Sequence, residues 1–239
     1  MLTTVDLLDV WEMGLQQLPV NRAVEVLAHA LPGGKEAMEK LTIGRRDRLL
    51  LDVRERTFGS HMNAVTECTA CSARIEMEFE TGEIRAAEIA EESEVEMLFH
   101  EYRLRLRLPN SRDVMEATTV PIDAGAAKLF ERCVVEAQRG DQTVGSRDLP
   151  SEVMGLAIEK MALADPQADI HLTLQCPVCG VTNRPPMDIA AYLWREIEMF
   201  AVRVLQEVNE LAAAYGWEEQ QILQMSPTRR RCYLEMVRT

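Results

Sequence analysis

The stretches "ECTAC" (residues 67–71) and "QCPVC" (residues 175–179) each carry a C-x-x-C pair. Both run from strand-like sequence through the cysteines into an extended segment. This order is typical of a zinc knuckle, in which a tight hairpin directs two sulfurs and nearby backbone N–H groups at one metal ion. Structural Zn²⁺ takes four ligands in a tetrahedron, and two knuckles supply four thiolates. The sequence therefore predicts one shared zinc site, with Cys68, Cys71, Cys176 and Cys179 as ligands.

The cysteine pairs have other possible interpretations. A thioredoxin-like C-x-x-C opens a helix after a buried strand, whereas extended sequence follows both pairs, and two chance pairs among six cysteines is the remaining alternative. His61 and His171 lie a few residues before the knuckles and are alternative ligands. Cys133 and Cys232 fall on helical faces and are predicted to be buried thiols. Because no fifth ligand or base accompanies the four thiolates, the site is predicted to be structural.

The composition favours a helix-rich globular protein. The chain has 239 residues, of which 47% are apolar, and this is enough for one large domain or two small ones. Alanine, leucine, glutamate and methionine, which favour helix, are abundant. No stretch of about 18 uncharged apolar residues is available to span a membrane, and the acidic N-terminus lacks the pattern of a signal peptide. We therefore expect an intracellular, cytoplasmic protein without a membrane partner.

The charge distribution bears on the kind of partner. A net charge of −13 argues against nucleic-acid binding, which needs a positive surface to displace counterions from phosphate. Residues 76–101 are the most acidic stretch, with ten glutamates and one arginine. This stretch is either a solvated surface or a docking face for a basic partner.

The hydrophobic pattern indicates an α+β protein that is predominantly helical. Apolar residues recur every three or four positions towards both ends of the chain and alternate around the cysteines. The predicted order is an N-terminal helical region (1–58), the first knuckle with its strands (59–108), a helical insertion between the knuckles (109–168), the second knuckle (169–187), and a long C-terminal helix followed by two short ones (188–239). In this arrangement an N-terminal helical bundle and the long helix flank a small β zinc-ribbon core.

In the N-terminal half of the chain, capping and helix-breaking residues indicate where the helices begin and end. Three N-terminal helices are expected: one at 5–16, one capped by Asn21, and one at 43–57. Residues 102–108 alternate leucines with arginines and predict a strand. Ser111 is expected to cap the helix that follows.

The second half is predicted in the same way. Helices are expected at 126–138 and from Pro150 or Ser151 through Leu163, and a strand at 169–175. A long helix should begin after a cap at Asp188 and end at Gly216, which suits the left-handed closing residue.

The C-terminal sequence resembles a known family. Residues 188–237 contain "LWREIE" (193–198), "AYGW" (214–217) and "SPTRRRCYL" (226–234). Together these are similar to the C-terminal signature of the baseplate hub assembly chaperones of contractile-tailed phages, which have relatives in phage-like contractile injection systems. The resemblance is strongest over these last residues.

Three further segments extend the resemblance over most of the chain. They are "LLDVWEMG" (7–14), "GRRDRLLLDVRERTFG" (44–59) and "RLRLPNSRDVMEA" (105–117), and the two C-x-x-C pairs also fit. The resemblance implies a non-enzymatic role, in which the protein binds a baseplate-hub or tape-measure component before the tail is built. It brings no catalytic residues with it.

Candidate contacts for such a partner lie near the C-terminus. Tyr215 and Trp217 are predicted anchors, because aromatic residues dominate interface hot spots. The arginines Arg229, Arg230 and Arg231 form a basic run near the start of a helix, where positive charge is locally unfavourable. The alternative is that these side chains pack the last helices together.

The functional prediction is an assembly chaperone without enzymatic activity, since no phosphate loop, nucleophile elbow or H-E-x-x-H helix occurs. A permanent, zinc-stabilised baseplate subunit is the alternative, with the protein found in the assembled particle. A zinc-ribbon adaptor in transcription or RNA handling is a third, against which the acidic charge speaks. The apolar stripe of the long helix fits an intramolecular core and a homo-oligomer equally well.

Overall fold

A computed structural model describes residues 2–87 and 93–238. The helices are α1 (Thr4–Gly14), α2 (Pro19–Ala30), α3 (Gly34–Glu39), α4 (Ile43–Phe58), α5 (Ser111–Ala117), α6 (Ile122–Cys133), α7 (Ser151–Ala164), α8 (Ile189–Tyr215), α9 (Glu219–Leu223) and α10 (Pro227–Arg238). The strands are β1 (His61–Glu67), β2 (Arg74–Glu80), β3 (Glu94–Phe99), β4 (Tyr102–Arg107), β5 (Val134–Arg139), β6 (Gln142–Thr143), β7 (Leu174–Gln175) and β8 (Thr182–Asn183). Strands β1 and β2 form one antiparallel hairpin, β7 and β8 form another, and β3-β4-β5-β6 form an antiparallel sheet in that order.

The first hydrophobic core joins the N-terminal helices to the first hairpin and to the start of α8. Thr3 caps α1 with its side chain, and Pro19 occupies the first turn of α2, where its missing N–H costs nothing. The apolar faces of these helices meet around Leu27, Leu50 and Ile197, none of which is exposed. Met62 and Phe79 of the β1–β2 hairpin pack against the same core.

The second core lies under the four-stranded sheet. Leu104 and Leu106 on β4 are fully buried, and they pack with Phe130 of α6 and Ala157 of α7. The arginines of β4 alternate with these leucines, as the period of two requires. The third core lies along the second half of α8, where Val204 and other residues pack against α9 and α10.

A buried arginine ties α4, the first hairpin and α8 together. The side chain of Arg54 is 4% exposed and forms hydrogen bonds of 3.0 and 2.7 Å with the Glu196 carboxylate. It also donates to the carbonyls of Gly59 and His61, each at 2.6 Å. Its guanidinium lies 5.8 Å from the ring centre of Tyr192. Nearly every donor of this arginine therefore has a partner, which burial of a charge requires.

A second buried contact joins α4 to the segment after α7. The Gly44 N–H donates to the Asp165 carboxylate at 2.9 Å. A Cβ at position 44 would lie only 1.8 Å from Oδ1 of Asp165, so the approach needs glycine. Burial raises the pKa of the Asp165 carboxyl above its ordinary value.

The fold class predicted from the sequence is confirmed: the protein is a mainly helical α+β protein that brings four cysteines together. The long helix begins at Ile189 with Asp188 as its cap and ends at Gly216, which has a φ of 68°. The predicted helical insertion (109–168) also carries strands β5 and β6 of the four-stranded sheet, in addition to the predicted helices.

Several predicted boundaries were wrong. The helix expected at 126–138 ends at Cys133, because Val134–Arg139 instead pairs with β4 as strand β5. In the strand expected at 169–175, only Leu174–Gln175 is regular strand. Pro19, rather than a cap at Asn21, opens α2, because the fixed φ of proline suits the first helical turn.

Other local features were missed. Asn110, not Ser111, caps α5, because its side chain and that of Asp113 each accept a hydrogen bond from the other's backbone N–H. The short helix α3 was not expected. Residues 88–92, part of the acidic stretch 76–101, lie outside the described residues. Among the described residues, none of the helices combines the length and hydropathy that a bilayer-spanning segment requires.

Candidate metal centre

The first cysteine pair lies in the turn of the β1–β2 hairpin. The Cys68 N–H donates to the Ala73 carbonyl at 2.8 Å, and the Ser72 N–H donates to the Cys68 carbonyl at 2.9 Å. Ser72 has a φ of 57°, a left-handed conformation that is uncommon for residues other than glycine. This turn places the side chains of Cys68 and Cys71 on the same side of the hairpin end.

The second pair lies in the turn of the β7–β8 hairpin and repeats the same bonds. The Cys176 N–H donates to the Val181 carbonyl at 2.9 Å, and the Gly180 N–H donates to the Cys176 carbonyl at 2.9 Å. Gly180 has a φ of 73°, so it occupies the same left-handed position as the serine of the first turn, without the cost of a Cβ. The two cysteine segments are therefore two copies of one turn.

The two turns bring the four sulfurs together. The Sγ atoms of Cys68 and Cys179 lie 3.6 Å apart, and those of Cys71 and Cys176 lie 3.7 Å apart. All four sulfurs lie within 4.8 Å of one another. In a tetrahedron with Zn–S bonds of about 2.3 Å, neighbouring sulfurs are about 3.8 Å apart. The distances fit one metal ion bound by four cysteines.

Burial divides the four sulfurs into an inner and an outer pair. Cys68 and Cys176 are each 2% exposed and pack with Ile75, whereas Cys71 and Cys179 are exposed. The inner pair thus anchors the centre to the protein, and the outer pair faces solvent. A metal ion has a route to the site from the outer side.

The hydrogen bonds of the first turn favour a thiolate. The N–H groups of Ala70 and Cys71 donate towards Sγ of Cys68 and lower its pKa to about 6. The Ala73 N–H favours the thiolate of Cys71 as well, but contacts with neighbouring thiols such as Cys179 raise its pKa to about 12. Four thiolates therefore need a cation among them, and metal binding would release the remaining protons.

Asn183 links the two turns and was not predicted from the sequence. It is 3% exposed, and its Oδ1 accepts hydrogen bonds from the N–H and the hydroxyl of Thr69 at 2.9 and 3.0 Å. Its Nδ2 donates to the Val181 carbonyl at 3.0 Å and lies 3.7 Å from Sγ of Cys68. A single asparagine four positions after a cysteine carries no signal of this role in the sequence.

The two histidines considered as alternative ligands lie outside the cluster. Nδ1 of His61 is 3.4 Å from a carboxylate oxygen of Glu80, and Nδ1 of His171 is 3.6 Å from a carboxylate oxygen of Asp169. Of the other cysteines, Cys133 is buried as predicted, and burial raises its pKa to about 11. Cys232 is exposed, so the prediction that it is a buried thiol was wrong. It lies on the outer face of α10, which packs on α8 through Leu234.

Comparison with known proteins gives one result. A protein-family model described as T4 bacteriophage base plate protein matches residues 20–187. The chain belongs to the T4 bacteriophage base plate protein family. The matched residues run from α2 to the end of the second knuckle and so include all four cysteines of the centre. No curated protein and no solved structure matches significantly.

The C-terminal residues predicted to bind a partner lie outside residues 20–187, which the family model matches. The rings of Tyr215 and Trp217 stack with centres 4.5 Å apart, and Tyr233 packs edge-on against Trp217 at 4.9 Å. Arg230 is 3% exposed and pairs with Glu207 at 2.7 Å, so it holds α10 against α8. Much of this group therefore packs the last helices, which was the alternative interpretation.

Two of the three arginines remain on the surface. Arg229 and Arg231 are exposed, and the guanidinium of Arg229 lies 5.9 Å from the ring centre of Tyr233. Tyr215 is 39% exposed. Binding of a partner through these exposed groups stays a prediction.

The hydrogen bonds of Asn183 to both turns predict that this side chain orients the cysteine ligands. Replacing Asn183 by alanine should weaken metal binding by roughly tenfold or more, the usual range for loss of an outer-shell partner. Competition with a chromophoric chelator measures the affinity. Thr182→Ala, an exposed neighbour on the same strand, is the matched control. Equal affinities in both variants would show that the asparagine does not orient the ligands.

Proposed function

We propose that the protein is a non-enzymatic assembly factor for a contractile tail, which holds a baseplate-hub or tape-measure component, and that its four cysteines bind one structural Zn²⁺. Membership of the base plate family is the observation that carries the proposal. The similarity of residues 188–237 to hub assembly chaperones supports the chaperone role. The cytoplasm of the cell that builds the tail is where such a factor would act.

The donor set supports a structural ion. Catalytic zinc sites keep a position open for water or substrate, whereas four cysteines complete the tetrahedron. Thiolate sulfurs are soft ligands and select zinc over magnesium, calcium or manganese. The two histidines predicted as alternative ligands, His61 and His171, lie beside the carboxylates of Glu80 and Asp169 instead. An ion bound here would hold structure rather than perform chemistry.

The zinc ion would close a long loop. Cys71 and Cys176 are 105 positions apart, and the four-stranded sheet with α5, α6 and α7 lies between them. Crosslinking distant positions restricts the unfolded chain, and the effect grows slowly with loop length. The metal would therefore fix the two ends of this insertion next to the hairpin and α8.

The second candidate function is a permanent subunit of the baseplate. The description of the matched family as a base plate protein favours it directly. A zinc-braced fold would serve a subunit under mechanical load as well as it serves an assembly factor. Family membership favours both candidates over a zinc-ribbon adaptor in transcription.

Quantitative mass spectrometry of purified, finished particles against the soluble lysate distinguishes the two candidates. For an assembly factor we expect the protein in the lysate, bound to one tail component, and a copy number near zero in particles. A tagged copy carrying Arg229→Glu and Arg231→Glu should capture less of that component than the wild-type copy. A fixed copy number in particles, comparable with that of known structural components, would contradict the chaperone role and establish the subunit.

A further inference from the structure

Strand β1 has one edge paired with β2 and an outer edge that faces away from it. In an antiparallel pair, the backbone groups of alternate residues point to opposite edges. The Cys68 N–H donates to the Ala73 carbonyl at 2.8 Å, and the Thr81 N–H donates to the Ser60 carbonyl at 2.9 Å. The backbone N–H and C=O groups of the even-numbered residues of β1 therefore point towards β2. The odd-numbered residues direct their N–H and C=O groups to the outer edge.

The first part of the outer edge is covered by side chains. The His61 carbonyl accepts a hydrogen bond from Arg54 at 2.6 Å. The Asn63 N–H donates to the Tyr192 hydroxyl at 3.1 Å, and this hydroxyl donates back to the Asn63 carbonyl at 3.1 Å. One phenol thus satisfies both outward-facing backbone groups of Asn63, which has no neighbouring strand on this edge.

The outer edge continues uncovered beyond this point. The backbone N–H and C=O groups of Val65 and Glu67 have no partner within residues 2–87 and 93–238. The Val65 side chain is also 55% exposed. An unpaired strand edge is a template for another strand, and proteins that do not use such an edge usually blunt it with a proline, a bulge or a covering loop. Here the covering stops halfway along the strand.

A cleft runs beside this uncovered edge. It has a volume of about 610 Å³ and lies between β1, the segment before α8 and the first turns of α8. Met199 on its rim is 60% exposed. Its apolar lining includes Ala64, Val65, Met77, Leu172, Met187 and Met199. Methionines suit a surface that adapts to a bound side chain.

An exposed arginine at the cleft indicates which charge a bound segment would carry. Arg195 lines it, is exposed, and forms no ion pair with the described residues. An exposed guanidinium that no carboxylate of the described residues neutralises attracts an acidic group of a bound partner. The neighbouring Glu196 is already paired with Arg54.

We propose that the outer edge of β1 at Val65 and Glu67 binds an extended segment of another protein, which adds to the hairpin as a third strand. The segment would be mainly apolar, so that alternate side chains enter the cleft, and would carry a carboxylate that pairs with Arg195. Backbone hydrogen bonds supply affinity in this mode of recognition, and side-chain pockets supply specificity. This inference deepens the proposed function, on which it rests for the need for a protein partner.

A library of nine-residue peptides selected against the purified, metal-loaded protein tests the proposal. Selected peptides should protect the Val65 and Glu67 amides from hydrogen exchange. Val65→Pro removes only the outward N–H, at a position where a strand tolerates proline, and should weaken peptide binding by about tenfold or more. Val65→Thr, which keeps the N–H and the branched shape, is the matched control and should bind the peptides nearly as the wild type does.

A second pair of variants covers the case in which Val65→Pro fails to fold, which metal content and thermal melting would reveal. Arg195→Glu should weaken the selected peptides, and Arg45→Glu, an exposed arginine at the start of α4, should not. No selected binders, binding that survives both Val65→Pro and Arg195→Glu, or protection away from β1 would overturn the proposal. So would a dimer of this chain, seen by sedimentation, that Val65→Pro dissolves. Because peptide binding uses purified protein, its failure is separable from the particle measurement.

Discussion

The Cys176→Ser variant is expected to be purified without stoichiometric metal and to melt more than about 10 °C below the wild type. Cys176 is one of the two buried sulfurs and contacts both Ile75 and the other turn. Zinc binding at four-cysteine sites contributes about 10–16 kcal/mol in small domains, and this energy is folding energy. Even a few kcal/mol of that loss lowers the melting temperature of a protein of this size by roughly 2–4 °C per kcal/mol.

Metal analysis by plasma mass spectrometry and melting by circular dichroism provide the measurements. Cys68→Ser, at the equivalent position of the first turn, should behave in the same way. Cys232→Ser is the matched control, because that thiol is exposed on α10 and lies outside the cluster. It should keep one zinc per chain and the wild-type melting temperature.

Two results would contradict this prediction about the zinc site. Wild-type protein purified without chelator that contains no zinc would end the claim of a shared site. A Cys176→Ser variant that keeps its metal would show that three cysteines and another donor suffice. Hydrogen exchange should localise the change, with lost protection in β1, β2, β7 and β8 and retained protection in the second core.

The cluster of four cysteines could be predicted from the sequence because its geometry is local. Each C-x-x-C turn is fixed by hydrogen bonds within six residues, from Cys68 to Ala73 and from Cys176 to Val181. Two complete half-sites need each other to reach four ligands, so pairing them required no knowledge of the fold between them. The long helix was equally predictable, since its cap, period and closing glycine all lie in one segment.

Features that depend on distant pairing could not be predicted. Strand β5 follows directly from α6, and Leu129, Phe130 and Cys133 carry a helical period up to the boundary. Only its pairing with β4, as between Leu104 and Ala137, makes the following residues a strand. The role of Asn183 likewise depends on the approach of Thr69 from the other turn. Tertiary contacts decide such positions, and no single-sequence pattern records them.

The surface was also predicted less well than the core. The Arg229–Arg231 run looks uniform in sequence, but the helix turns its middle member inward to Glu207 and its neighbours outward. Cys232 was placed inside because it falls on a helical stretch, but it lies two residues from each of the buried positions of α10, Arg230 and Leu234. Two positions along a helix turn a side chain by about 200° around the axis, which directs this thiol to the opposite face.

Replacing Asp113 by asparagine is the second change expected to have a large effect. The Asp113 side chain is 1% exposed and accepts hydrogen bonds from Arg107 of β4, including one of 2.6 Å, and from Arg132 of α6 at 2.8 Å. It also accepts from the Asn110 N–H at 3.0 Å as part of the cap of α5. Asparagine would leave two partly buried arginines without their carboxylate. Removal of one member of a buried ion pair costs about 3–5 kcal/mol.

The same network predicts a pH dependence with a definite sign. Burial raises the pKa of Asp113, but the hydrogen bonds from Arg107, Asn110 and Arg132 outweigh it and hold the pKa below the ordinary value of 3.8. Because the folded pKa is lower than the unfolded one, the carboxylate stabilises the fold above pH 3.8 and loses this contribution as the pH falls through the folded pKa. The melting temperature of the variant should therefore lie roughly 10 °C below that of the wild type at neutral pH, and the gap should shrink in acid.

Thermal melting from pH 2 to pH 7 tests both parts of this prediction. Asp141→Asn, at an exposed position in the turn between β5 and β6, is the matched control and should follow the wild-type curve. A constant gap between Asp113→Asn and the wild type at every pH would mean that the amide's N–H groups, rather than the loss of charge, destabilise the variant, because asparagine has nearly the shape of aspartate. Equal melting at pH 7 would mean that water replaces the carboxylate around the arginines. The expected convergence in acid instead identifies the ionised carboxylate as the group that joins β4, α5 and α6, and so holds the insertion between the two cysteine turns in one piece.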